Sequence, residues 1–163
     1  MGVFLNMAMY FGNEESRERL LLEGRSWLGT PFFKRSKAKG VGGGVDCVNL
    51  AQIIYYNIGV IDEIKDMPEY NLDWHFHQED SLLERIFKEM YPNEFVEIDI
   101  SDGLMVGDLM LFNPMGACIH HCGILYRDNW VLHAMVERGV IETHISTSER
   151  AFTLEKVFRP IKL

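Results

Sequence analysis

The chain has 163 residues, 47% of them hydrophobic and 25% charged, which suits one soluble globular domain over 1–163, stable without disulfides or a structural metal. A net charge of −8 argues against nucleic-acid binding, because neutralising phosphates needs a basic surface. Three cysteines and no secretory-signal pattern lead to the expectation of reduced thiols in a cytoplasmic producing cell.

In chain order, the apolar opening MGVFLNMAMYFG is too short to span a bilayer and reads as a strand or a docked segment, so no transmembrane segment is foreseen. Asn13 is placed to cap a helix from Glu14, with two acids favouring the helix dipole and Leu20, Leu21, Gly24, Trp27 and Leu28 along one face. A loop from Phe32 to Gly44 follows, carrying Lys34, Arg35, Lys37 and Lys39 before its glycines. A second helix is expected from Asp46 or Cys47, with Cys47, Leu50, Ala51, Ile54 and Ile58 as one stripe and Gly59 as the stop. MPEYNLDWHFHQED reads as an irregular connection, and a third helix over 81–91 carries a capping box, Ser81 with Glu84. After Pro92 the texture changes to short β-rich segments: FVEIDI, GDLMLF, CIHHCGILY, WVLHAMV, GVIETHI and LEKVF. Helices first and strands afterwards predict an α+β domain, N-terminal helices packed on a C-terminal antiparallel sheet.

Chemistry is suggested first by KGVGGGVDCVNL, where four glycines in five positions run into Asp46 and Cys47. A thiol in the first turn of a helix meets free amides and the positive end of the macrodipole, which favour the nucleophilic thiolate. The same amides suit an oxyanion. The competing reading is a small apolar residue on a core stripe, and a base decides between the two.

His121 and His133 lie on adjacent predicted strands. With a three-residue turn, Arg127-Asp128-Asn129, whose Asn129 adopts the left-handed conformation, His133 falls opposite Gly123 and diagonal to His121 on the same face. A two-residue turn would put the imidazoles on opposite faces, so the relay depends on this turn. The chemistry is then nucleophile (Cys47), base (His121) and orienter (His133).

Taken together, SWLGTPF, GGGVDCVNL, GDLMLF, HCGILY and VLHA, in this order, resemble the NlpC-type papain-like cell-wall cysteine peptidases. The resemblance implies a papain-like fold with Cys47 as nucleophile, His121 as base and His133 as third polar residue. It implies hydrolysis of peptidoglycan stem peptides, often between D-γ-glutamyl and a diamino acid, with no cofactor. The long 61-to-104 connection and HCGIL…HAMVERGVIE are most similar to the phage and prophage tail-associated branch, which implies tail proteins as partners and association with a virion tail. Family members usually follow the nucleophile with Ser-Gly, where this chain has Val48-Asn49, and carry Tyr where it has Phe32. Asp46, which with that Ser helps to hold the free end of the stem peptide, is retained. Asp46, Phe32, Val48 and Asn49 are therefore the expected substrate-binding positions.

Other readings stay open at this point: an amidase or acyltransferase on the same scaffold, or a tail or wall-binding module with a vestigial site. In CIHHC, Cys118, His120 and Cys122 share a strand face, which does not close a zinc site without a fourth ligand such as His75 or His77, so no metal is expected. The glycine loop lacks the Gly-Lys-Ser/Thr ending of a nucleotide cradle. Its four basic residues read as a solvated loop or as an attractor of stem-peptide carboxylates, Trp74, His75 and His77 as loop or cleft wall, and Glu137-Arg138 as a turn pair.

Overall fold

The computed structural model describes residues 8–67, 82–113, 121–147 and 153–162. Helix α1 spans Glu14–Ser26, and the Asn13 side chain accepts the Ser16 N–H at 2.9 Å, the local cap that the sequence anticipates. Leu20 and Gly24 form its buried face, with Trp27 buried just beyond its end. Helix α2 spans Cys47–Asn57 behind an Asp46 cap and stops where Gly59 takes a left-handed φ of 85°. It is covered on more sides than a one-stripe amphipathic helix would be, since every residue from Val48 to Tyr55 is buried. Helix α3 is described over Leu82–Met90 and ends one residue before the pattern suggests; Ser81 of the expected capping box lies outside the described residues.

The strands are β1 (Ala8–Met9), β2 (Lys37–Ala38), β3 (Gly44–Val45), β4 (Phe95–Ile98), β5 (Leu109–Asn113), β6 (His121–Arg127), β7 (Trp130–Met135), β8 (Gly139–His144) and β9 (Thr153–Lys162). Strands β5 to β8 pair antiparallel in succession, and β9 returns beside β5, pairing also with β4 and β1. All pairs in this sheet are antiparallel, and the helices pack on it to give the expected α+β architecture. The loop with the glycines is not shapeless: β2 and β3 make a small hairpin within it.

The pleat divides the sheet into two faces. Leu109, Leu111, Cys122, Ile124, Tyr126, Leu132 and Ala134 join the helix-side core. Met110, Phe112, Leu125 and Val131 form a second cluster, covered in part by Leu104, Ile145 and Leu154. Two buried polar anchors fix the layers. Tyr55 Oη on α2 donates to the Gly107 carbonyl at 2.9 Å, and Asp108 accepts two bonds from Arg159, each of 2.8 Å.

The β6–β7 hairpin decides which way its histidines face. Ile124 pairs with Leu132 and Leu125 with Val131, the register counted from a three-residue turn. At the tip, Arg127 pairs with Trp130 across a bulge, and Asn129 has φ 60°. A short turn closed by a left-handed residue and a bulge keeps the inner register of the longer loop.

Candidate active site

Construction starts at β3. The Val45 N–H donates to the Pro31 carbonyl, the Phe33 N–H donates to the Val45 carbonyl, and Phe32 bridges to Val45 in parallel. Gly44 is needed there because a Cβ would stand 2.4 Å from Cβ of Phe33. The chain then enters α2 through Asp46. One carboxylate oxygen of Asp46 accepts the Asn49 N–H at 2.8 Å; the other accepts the Arg35 N–H at 2.7 Å and the Asn49 side-chain amide at 3.1 Å. Burial pushes the Asp46 carboxyl above its ordinary range, and the bonds from Asn49 and Arg35 oppose that. Asp46 thus clamps the basic loop to the helix start and fixes Cys47, half-buried, as the first residue of α2.

On the strands, the His121 and His133 rings meet. Nε2 of His121 lies 2.8 Å from Nδ1 of His133, and Nε2 of His133 lies 3.0 Å from Oγ1 of Thr143 on β8. His133 is 1% exposed and His121 8%. Gly123 makes this approach feasible: a Cβ there would be 3.1 Å from Cβ of His133 and 2.6 Å from a Val131 methyl. Burial, with the Arg138 charge as a second cause, lowers His133 from 6.5 to about 4, so it is neutral near pH 7. A neutral His133 has one acceptor nitrogen and one donor nitrogen. If Nδ1 accepts from His121 Nε2–H, then His133 donates from Nε2 to Thr143, and Nδ1 of His121 is left as the basic nitrogen.

Cys47 packs against the helix-side core that includes Cys122 of β6, and α2 packs directly against β6. Alternation along β6 and β7 puts His121 and His133 on the other side of the pleat, where Phe112 stands 6.0 Å from the His121 ring. The structure therefore brings the two imidazoles together and packs α2, which Cys47 opens, against β6, which His121 opens.

Among the expected substrate-binding positions, Phe32 is partly exposed beside the bridge to Val45. Asp46 is buried, and Val48 and Asn49 are 1% and 2% exposed, turned into the fold. Thr143 was not legible as a site residue, because its place depends on a second hairpin register, Val131 with Thr143 and His133 with Ile141. In the basic loop, Lys37 pairs with Asp66 at 2.8 Å, while Lys39 bonds the Ser26 hydroxyl at 2.6 Å and covers the Trp27 ring. Trp74, His75, His77, Cys118 and His120 lie outside the described residues, and among the described residues no group of three or more His, Cys, Asp or Glu is placed to hold a metal.

With this geometry in place, the sequence matches the model of the NlpC/P60 family over residues 29–159. The chain belongs to the NlpC/P60 family. NlpC/P60 proteins are typically cysteine hydrolases, and membership suggests peptidoglycan hydrolase activity. No curated protein matches the chain in sequence. Among solved structures, the NlpC/p60 domain of the peptidoglycan hydrolase SagA is similar at 13% identity and a TM-score of 0.53, covering 86% of this chain and 96% of that one. An NlpC/P60 family protein from Bacillus cereus is similar at 21% identity and a TM-score of 0.58, over 86% of this chain and 39% of that one. A lipoprotein-like NLP/P60 family protein from Staphylococcus aureus is similar at 18% identity and a TM-score of 0.56, over 95% of this chain and 43% of that one. This NlpC/P60 chain thus spans nearly all of the SagA domain but less than half of the other two, and at these identities the likeness carries the fold. Among the described residues, no helix is long and apolar enough to cross a membrane.

Proposed function

We propose that this NlpC/P60 domain is a cysteine endopeptidase that cleaves peptidoglycan stem peptides, at a D-γ-glutamyl–diamino acid bond, through a thioacyl-enzyme. The observation that carries the proposal is the chain of contacts from His121 Nε2 to His133 Nδ1 at 2.8 Å and from His133 Nε2 to Thr143 Oγ1 at 3.0 Å, on a sheet against whose β6 strand the Cys47 helix packs. In this reading, Cys47 attacks the scissile carbonyl as thiolate, and His121 takes the thiol proton. First-turn amides of α2 hold the oxyanion. His121 then protonates the leaving amine, and water releases the acyl group with the same histidine as base. His133 must stay neutral throughout, because a protonated Nδ1 would oppose the His121 N–H it accepts. Burial and Arg138 both favour that state.

Phe32 supplies an apolar wall to the cleft, while Asp46, Val48 and Asn49 act on specificity through the shape of its floor. The likeness of the 61-to-104 connection to the tail-associated branch supports delivery with a phage tail, with tail proteins as partners. The deciding experiment is a digest of purified peptidoglycan by the parent chain and by Cys47→Ala, with products read by mass spectrometry. New amino termini on the diamino acid, lost by about a thousandfold or more in the variant, are expected. Equal products from both proteins, or release at a sugar-linked amide instead, would remove the endopeptidase assignment.

A further inference from the structure

Among the described residues, strand β4 pairs with β9 alone. Val96 and Ile98 stand opposite Arg159 and Val157, and the Ile161 N–H donates to the Glu94 carbonyl, so Glu94, Val96 and Ile98 turn their backbone groups toward β9. The N–H and C=O groups of Phe95 and Glu97 therefore point to the open edge of the sheet. Side chains divide between the faces. Phe95 packs on the Phe87 and Tyr91 rings and Glu97 pairs with Lys88, both on the helix side. Val96 and Ile98 lie on the other face, where with Met9 and Ile161 they line a cavity of about 550 Å³. Asp99 and Asp102, both exposed, belong to the same lining, while the neighbouring Arg159 is held by Asp108 and the Gly103 carbonyl. We propose that the β4 edge and this groove dock an extended segment of another protein, apolar at alternate positions and carrying lysine or arginine.

A strand added beside β4 exchanges main-chain bonds with Phe95 and Glu97 and lays alternate side chains against Val96 and Ile98. Pro92 before β4 and the 3-10 turn Ile100–Asp102 after it limit the edge to four residues, which suits a short linear segment rather than a second sheet. Charge selects the occupant. Asp99 and Asp102 lie in the groove of a chain with net charge −8, and both favour a basic partner. A second copy would bring the same edge, FVEIDI, with two acids and no base, so the charges oppose edge-to-edge pairing of this chain with itself. In the sheet, β9 and β5 stand between β4 and β6, which sets this surface apart from the proposed cysteine site and makes it independent of that assignment.

The test titrates the full chain with the synthetic peptide acetyl-KVTVTVK-amide, read by calorimetry and by amide hydrogen exchange. Binding with a Kd of about 0.1–1 mM is expected, the range that a few net main-chain bonds supply. At saturation the Phe95 and Glu97 amides should exchange more slowly than in the free chain. The charge-reversed peptide acetyl-EVTVTVE-amide and the proline-broken acetyl-KVTPTVK-amide should each bind about tenfold more weakly or worse. Glu97→Pro removes an outward N–H and leaves the β4 donors to β9 in place, and it should weaken the first peptide about tenfold. Asp102→Lys, at an exposed position, should do the same with an unchanged melting temperature, and it decides the matter if Glu97→Pro fails to fold. Equal binding of the lysine and glutamate peptides, full affinity in Asp102→Lys, or unchanged exchange at Phe95 and Glu97 would overturn the proposal. So would a dimer of the chain, seen by sedimentation, that buries the β4 edge against its own copy. No readout depends on turnover.

Discussion

Acidification should cost the fold about 2 kcal/mol through a single side chain, His133. In the folded protein this imidazole is lowered to about 4, first by burial and then by Arg138, against 6.5 when unfolded. Between those values the unfolded chain binds the proton and the folded one does not, so stability falls as pH falls. The contribution is complete above pH 6.5 and lost progressively down to pH 4, a span worth about 3 kcal/mol in all at 1.36 kcal/mol per unit. Between about pH 7.5 and about pH 5 the loss is about 2 kcal/mol. The comparison is His133→Gln, which keeps an acceptor and a donor but does not titrate. Urea unfolding of both proteins at the two pH values should show the parent losing about 2 kcal/mol more than the variant. Equal losses would refute the idea that a buried, neutral His133 sets the acid sensitivity, and with it the argument that this residue is held as an acceptor for His121.

Three further outcomes test the architecture around the site. Thr143→Val removes the partner of His133 Nε2 and should lower kcat by about threefold to tenfold with KM little changed, while Thr143→Ser restores it; steady-state kinetics on a defined stem peptide decides. Gly123→Ala forces a methyl to within 2.6 Å of Val131 and 3.1 Å of His133, and should destabilise by about 1–3 kcal/mol, read as a fall in melting temperature. Asp46→Ala takes the cap from α2 and its tie to Arg35, and should cost about 1–2 kcal/mol in urea unfolding, with Asp46→Asn recovering part through the Asn49 N–H bond.

What was legible in the sequence was whatever short-range chemistry decides. The cap at Asn13, the start of α2 at Asp46 or Cys47, the stop at Gly59 and the strands after Pro92 each announce themselves within a few residues. The β6–β7 register was legible only in part: Asn129 marks the left-handed turn residue, but the turn pairs Arg127 with Trp130 rather than spanning three residues, and a bulge that no local pattern marks keeps Gly123 opposite His133. The return of β9 beside β5 pairs Leu109 with Phe158 across half a hundred residues of chain, and no local pattern marks it. Thr143 depends on the β7–β8 turn, where Glu137 takes φ 66°, a conformation its side chain does not advertise. The packing of α2 on β6 was hidden for a different reason. The sequence shows which face of α2 and which face of β6 each sulfur occupies, but not how far along the strand the helix begins.

The departure from the family pattern after Cys47, the proposed nucleophile, acquires a physical meaning from the contacts of Asp46. Where Ser-Gly is usual, Val48 fills the core and Asn49 turns back to bond Asp46 through both its backbone and its side-chain amide. Arg35 supplies a third bond, so the carboxylate that would otherwise meet the free end of a stem peptide is already engaged by its own chain. A buried carboxylate with its partners in place gains little by exchanging them for a ligand, since each bond given up exposes the desolvation already incurred. Asp46 is therefore more use to this chain as a clamp between the basic loop and α2 than as an open receptor. In the proposed function, specificity then falls to accessible groups such as Phe32, partly exposed at the bridge to Val45. The same bonds that close Asp46 fix the start of α2 and with it the place of Cys47.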